Sequence, residues 1–275
     1  MTASPMQLPL ARTAALQYVL RLADNALILG QRNAEWCGHG PVLEEDIALA
    51  NISLDLIGQA RLLYTRAGEM EGELTGRQRH EDDYAYWRGE REFRNWTLLE
   101  LPHHGPLAGT AAADRDYAVT IVRNFLYGAL MVELWAALQS SRDTGLAAIA
   151  AKSLKEARYH LHHAADWVVR LGDGTEVSHV RCQRALDHLF PYMNECFTAD
   201  EVEREAAAQG IGVVAADHKA AWLATVQATL DEATLAMPAD SGFVSTGKAG
   251  LHSEHMSYLL AEMQSLARAH PGAHW

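Results

Sequence analysis

Apolar residues in this chain recur every three to four positions over four long segments, and strand-type runs are few. That spacing predicts helices and excludes a sheet protein. The first segment, about Ala11 to Glu35, carries Leu16, Val19, Leu20, Leu22, Leu27 and Leu29 and stops at Gly38 and Gly40 around His39, ahead of Pro41. The second opens at Leu43 with Glu44, Glu45 and Asp46 in its first turn, where acids suit the helix dipole. It runs to about Gly72 and is apolar on nearly every face (Ile47, Leu49, Ile52, Leu54, Leu56, Ile57, Leu62, Leu63), the mark of a central helix. The third spans about Asp114–Ser140, and the fourth about Gly145–Leu171, closed by Gly172-Asp173-Gly174.

Between the second and third segments the pattern breaks. Residues 72–114 mix charges with Tyr84, Tyr86, Trp87, Phe93 and Trp96 and are interrupted by Pro102 and Pro106, which predicts a long connection with short helices. Such a crossover joins two helical hairpins in ferritin-like bundles. Further helices are expected at about Val177–Phe190, Asp200–Gln209, Ala216–Leu235 and Ser253–Ala269, the second of these opened by Thr198-Ala199-Asp200-Glu201 at capping-box spacing. No low-complexity linker or short-period repeat divides the chain. The predicted fold is all-α: a ferritin-like four-helix bundle core with a long crossover and additional C-terminal helices. It forms a single domain over residues 1–275, with 1–10 poorly ordered.

The 23 Lys and Arg against 35 Asp and Glu give a net charge of -12, and no basic stripe offsets it, so nucleic acid is not an expected partner. Apolar stretches such as Phe125–Met131 are far shorter than the roughly 18 residues of a spanning helix, so no membrane is expected. The amino terminus lacks a basic region followed by an apolar run, so no signal peptide is expected. Cys37, Cys182 and Cys196 are too few and scattered for a disulfide framework and read as reduced thiols in a cytoplasm.

Four long helices with a crossover raise the question of a di-iron site, which needs inward Glu residues and two Glu-x-x-His pairs. The chain has two such matches, Glu100–His103 and Glu176–His179, one interrupted by Pro102 and the other just past a glycine turn. Both are expected to be chance. The long helices hold only a partial imitation: Asp24 in the first, Asp55 in the second with Gly58 three residues on, and Glu156 in the fourth followed at that spacing by Tyr159. His160 comes one position late, and Arg123 of the third helix would repel a dication. Acids inside apolar helices need partners, and Arg123 can bind two carboxylates. The expectation is a buried ion-pair network of Asp24, Asp55, Arg123 and Glu156, with no catalytic, cofactor or metal site. Solvent exposure remains open for Glu156, among Lys152, Lys155 and Arg158, and a metal site on atypical ligands (Asp24, Asp55, Glu156, His160) is the competing reading.

His160 with His163, and His252 with His255, share helix faces and are expected to serve in hydrogen bonding at surfaces or interfaces. Gly247-Lys248-Ala249-Gly250 lacks the length and context of a phosphate loop. His252-Ser253-Glu254 are neighbours in sequence, which does not make a catalytic triad.

Several blocks resemble one family. Glu35-Trp36-Cys37-Gly38-His39, Leu54-Asp55-Leu56-Ile57-Gly58-Gln59-Ala60-Arg61, Lys155-Glu156-Ala157-Arg158-Tyr159-His160-Leu161, Arg170-Leu171-Gly172-Asp173-Gly174-Thr175 and Gly250-Leu251-His252-Ser253-Glu254-His255 are similar to the phenylacetate-degradation protein C family, over about Leu16 to Trp275. The resemblance implies a ferritin-like fold without iron ligands. It also implies the role of structural subunit in a bacterial phenylacetyl-CoA ring 1,2-epoxidase, a cytoplasmic oxygenase complex. The expected partners are a di-iron catalytic subunit, a reductase and small accessory subunits, with self-association open, and no cofactor of the chain's own. Seven tryptophans (Trp36, Trp87, Trp96, Trp135, Trp167, Trp222, Trp275) exceed what one bundle centre can bury. The first two long helices are therefore expected to form most of the subunit interface.

Overall fold

The structure is a computed structural model that describes residues 13–104, 115–271 and 273; the expectation for residues 1–10 lies outside them. Among the described residues there are helices and no strands. Two long hairpins form the bundle: α1 (Ala14–Ala34) with α2 (Leu43–Thr75), and α5 (Tyr117–Leu138) with α6 (Thr144–Gly172). Their crossover carries the short helices α3 (Glu81–Tyr86) and α4 (Thr97–Glu100). Beyond the bundle follow α7 (Glu176–Leu189), α8 (Met193–Phe197), α9 (Glu201–Ala208), α10 (Lys219–Glu232) and α11 (Glu254–Ala269).

The helix ends follow local chemistry. Thr13 caps α1 by accepting from the Leu16 N–H, and Asp143 caps α6 by accepting from that of Leu146 at 2.8 Å. Arg66 of α2 also grips Asp143 at 2.8 Å, so one carboxylate both starts α6 and ties it to the other hairpin. The helix α9 starts at Asp200, which accepts from the Glu203 N–H; Thr198 is not its cap. Gly76, at φ 73°, ends α2 in the left-handed region that favours glycine. A Cβ on Gly68 would lie 2.2 Å from the Arg79 carbonyl oxygen, so only glycine lets the crossover fold back over α2.

Burial reverses one expectation about the hairpins. The central helix is α1, buried along nearly its whole length under α2, α4, α9 and α11. α2 instead turns one apolar face outward, with Leu43, Ile47 and Leu54 at 72%, 52% and 67% exposure. An all-round apolar pattern states that both sides dislike water; it does not say which chain covers them. The helix α5 is long and apolar enough to cross a membrane by length and composition. Here it is a core helix, covered by α6, α7 and α10.

The crossover, which mixes charges with aromatics, turns apolar side chains inward. Tyr84, Phe93, Leu98 and Leu99 are fully buried, in a segment packed on α1 and α2 and covered by α11. At the far end Trp222 of α10 donates to the Leu126 carbonyl at 3.0 Å and packs against Phe190 and Phe197. Of the tryptophans, Trp36, Trp96, Trp135 and Trp222 are buried, and Trp87 and Trp167 half-buried. Trp275 lies outside the described residues. Six tryptophans therefore fit within one chain, because the crossover and the C-terminal helices supply cover beyond the bundle centre.

Candidate functional site

The four polar residues expected to form one network go to different partners. Asp24 is fully buried and is claimed by the crossover and α2. From the crossover Arg88 forms a salt bridge to it and the Arg94 N–H donates at 2.8 Å, and from α2 Tyr64 donates a hydroxyl at 2.6 Å. Arg88 in turn lies 4.2 Å over the Phe93 ring. Asp55, whose side chain is 41% exposed, pairs with His160 at 3.0 Å. Glu156 accepts from Gln59 at 2.9 Å and pairs with Lys152 at 3.1 Å. Arg123 is fully buried, yet its guanidinium donates to the carbonyls of Leu101 and Pro102 and faces the His103 ring. The network is therefore corrected to separate pairs. Arg123 points to the crossover side of α5, away from the α2–α6 seam where Asp55 and Glu156 lie.

A buried guanidinium that hydrogen-bonds carbonyls rather than a carboxylate has lost solvation for little counter-charge, Glu35 acting on it only through space. Burial, then the nearby Arg32 charge, pulls the Arg123 pKa down to about 9, still protonated at neutral pH. Its work is to satisfy the carbonyls that close α4. Arg123→Ala strands them, and each unpaired buried carbonyl costs about 1–3 kcal/mol. Denaturant unfolding is expected to show a larger stability loss for Arg123→Ala than for Arg94→Ala.

The two Glu-x-x-His matches separate sharply. Glu176 and His179 sit at the start of α7, where Glu176 is exposed and the His179 ring hydrogen-bonds the Gly172 carbonyl. Glu100 and His103 are both buried, and each is a structural hub that serves different neighbours. The His103 Nε2 donates to the Arg32 carbonyl at 2.6 Å, while Nδ1 accepts from Trp36 Nε1 at 3.1 Å and faces Arg123 and Thr120. Burial, then the Arg123 charge, pushes its pKa well below the usual imidazole range, so it stays neutral. Glu100 accepts instead from Asn95, the Ser253 N–H and the His252 ring. Sequence spacing could not show this, because Glu100 and His252 are 152 positions apart.

The interior of the four long helices is closed. Asn33 of α1 and Asn124 of α5 exchange two amide hydrogen bonds at 2.8 and 3.0 Å. Beside them Leu29, Gln59, Tyr127 and His160 line a cavity of about 10 Å³, at the limit for one water. Among the described residues no three His, Cys, Asp or Glu side chains gather as a metal-holding group. The donor set does not fit a di-iron centre: Asp24 is neutralised by Arg88, and Asp55 and Glu156 each hold a partner at the seam. His163 continues that seam, pairing at 2.8 Å with Glu45, which also accepts the Tyr117 hydroxyl at 2.5 Å. His160 and His163 thus tie α2 to α6, as hydrogen-bonding groups within the chain.

The outward face of α2 is what the bundle leaves open. Leu43, Ile47 and Leu54 follow one another at intervals of four and seven, one line along a helix. Gly58 continues the line, and a Cβ there would meet nothing within 4 Å. Tyr159, 58% exposed, stands on α6 next to His160 of the seam. Of the two helices expected to form most of the subunit interface, α1 is covered within the chain and α2 keeps this face open.

The family described as phenylacetic acid catabolic protein matches residues 1–275 of this sequence. A curated relative from Escherichia coli (strain K12), the C component of its 1,2-phenylacetyl-CoA epoxidase, is 45% identical over 258 residues, covering 94% of this chain and 98% of the relative.

Proposed function

The chain belongs to the phenylacetic acid catabolic protein family and so has its place in phenylacetate breakdown, and we propose that it is the structural, non-catalytic subunit of a phenylacetyl-CoA ring epoxidase, stabilising the di-iron catalytic subunit. The observation that carries this reading is the filled bundle centre: Asp24 is neutralised by Arg88, and the cavity beside His160 holds about 10 Å³. An oxygenase needs a cluster of metal ligands and room for substrate, and the absence of such a cluster among the described residues, with a cavity of that size, supports the reading. The chain's own residues bind no substrate in this role; they hold a shape.

The outward stripe of α2 is the surface we assign to the catalytic partner. An obligate pairing of this kind buries about 2,000 Å² or more, with an apolar centre. The same reading puts the complex in the cytoplasm, with a reductase and small accessory subunits completing it.

The competing reading, an oxygenase acting through Asp24, Asp55, Glu156 and His160, is tested by metal content. Protein purified from iron-supplemented cells is expected to carry no stoichiometric iron and to show no oxygenase activity alone. Elemental analysis giving about two irons per chain, the complement of a di-iron bundle, would overturn the structural reading.

A further inference from the structure

The segment between α10 and α11 holds only one short 3-10 turn, Gly247–Ala249, yet it is strapped to the molecule by two buried carboxylates. Glu195 accepts from the Ser245 hydroxyl and the Lys248 N–H, both at 2.7 Å, and from the Thr97 N–H at 2.9 Å. Gly247 presses so close that a Cβ there would lie 2.5 Å from the Asn95 carbonyl oxygen. At the end of the strap Glu100 takes the His252 Nδ1 at 2.7 Å and the Ser253 N–H at 2.5 Å. The side chains of His252 and Glu100 are both fully shielded from solvent.

The hydrogen-bond pattern fixes the protons. The Nε2 of His252 lies 3.1 Å from the Phe93 carbonyl, which can only accept, so that nitrogen carries a hydrogen. The Nδ1 faces a carboxyl group that already accepts from Asn95 on the same oxygen and from Ser253 on the other. Such a group is best satisfied as an ionised acceptor, so Nδ1 carries a hydrogen as well. A ring with two N–H groups is an imidazolium. His103 is the contrasting case, with donors on one of its nitrogens.

We propose that the buried His252–Glu100 pair is a proton-controlled latch, which holds the strap and the start of α11 on the crossover while the imidazole is doubly protonated and lets this corner open when one proton leaves. The charged groups around it are Glu100 on α4, Asp24 with its partner Arg88, Arg94, which donates to the same Phe93 carbonyl, and Arg32, which donates to the Glu100 carbonyl. Farther along lie Glu195, Lys248, Glu254, His255 and the Tyr192 hydroxyl, whose pKa is raised by burial and then by Glu100. α11 itself rests on Met256, Leu259 and Leu260 and on hydrogen bonds from Gln264 and Arg268 to the carbonyls of residues 85–88. Those bonds do not titrate, and His255, beside His104 and Glu254, has its pKa lowered by burial and then by Arg32. Above the usual imidazole range, His252 is therefore the group through which pH acts on this corner.

Burial alone would lower the His252 pKa, but the hydrogen bond and charge of Glu100, with the Phe93 carbonyl, outweigh it and hold the pKa above the usual imidazole value. A raised folded-state pKa means stability that is complete below the unfolded value, about 6.5. It is lost as pH rises through the folded value.

Hydrogen exchange of the intact chain, followed by mass spectrometry across this pH range and corrected for intrinsic rates, tests the latch. Protection over residues 250–262 is expected to fall by up to about tenfold per pH unit, the linkage of one proton, while α5 stays level. His252→Gln, a neutral donor, should flatten the pH dependence at the level of the deprotonated protein. Nitrogen-15 shifts of the wild-type ring, assigned by their absence in that variant, should report two protonated nitrogens at pH 6. A ring that is singly protonated there, or protection that is flat with pH in the wild-type chain, overturns the proposal.

Discussion

Arg88→Ala is expected to cost this chain about 3–5 kcal/mol of stability, because it leaves the Asp24 carboxylate buried without its counter-charge. Asp24 is fully shielded and Arg88 is 2% exposed at the side chain, so no water can replace the guanidinium. The loss spreads further: Arg88 also donates to the Tyr84 and Glu92 carbonyls, and its face covers the Phe93 ring. An exposed pair, Arg61 with Glu81, provides the comparison. Arg61→Ala should change stability by no more than about 1 kcal/mol. Urea unfolding of both variants checks the pair. Replacing Arg88 and Asp24 together by apolar residues should cost less than Arg88→Ala alone, since neither charge is then stranded. Equal losses for Arg88→Ala and Arg61→Ala would show that the buried pair is not what fastens the crossover to α1.

Leu54→Asp is expected to leave the isolated chain as stable as before and to abolish the pairing we propose with a di-iron catalytic subunit. Leu54 stands 67% exposed on the α2 stripe, so a charge there meets water in the free chain. In a heteromer it would meet an apolar interface core. Burying a leucine side chain contributes about 1.5–3 kcal/mol, and an unpaired carboxylate in its place adds a desolvation penalty. Together these predict a loss of at least about a hundredfold in affinity, at 1.4 kcal/mol per tenfold. Co-expression with the di-iron subunit followed by size exclusion reads the outcome. Tyr258→Asp, equally exposed on α11, serves as the control and should pair normally. A heteromer that survives Leu54→Asp and is lost with Tyr258→Asp would move the interface to α11. The wild-type complex should persist at high salt, since an apolar core is not screened.

The sequence by itself determined where the helices lie. Apolar spacing placed α1, α2, α5 and α6, and Gly38-His39-Gly40 and Gly172-Asp173-Gly174 marked where α1 and α6 stop; the caps Thr13 and Asp143 and the stop at Gly76 came only with the structure. The sequence also marked Asp24, Asp55, Arg123 and Glu156 as polar residues inside apolar helices. Each of them does have a partner. Those signals are local, carried by residues three or four positions apart, and so they are legible one segment at a time.

Which partner each charge takes was decided only in three dimensions. Asp24 meets Arg88 across 64 positions, and Glu100 meets His252 across 152. Both pairs arise because an irregular crossover that mixes charges with aromatics packs on α1 and α2 and is covered by α11. Nothing in helical periodicity records that packing, since a short irregular segment has no repeating face. The same limit explains α1 and α2. Both read as apolar, but later elements (α4, α9 and α11) cover α1 and leave a face of α2 open. A single helix states how much of its surface avoids water. Only the arrival of other chain segments, or of a second subunit, settles what covers it.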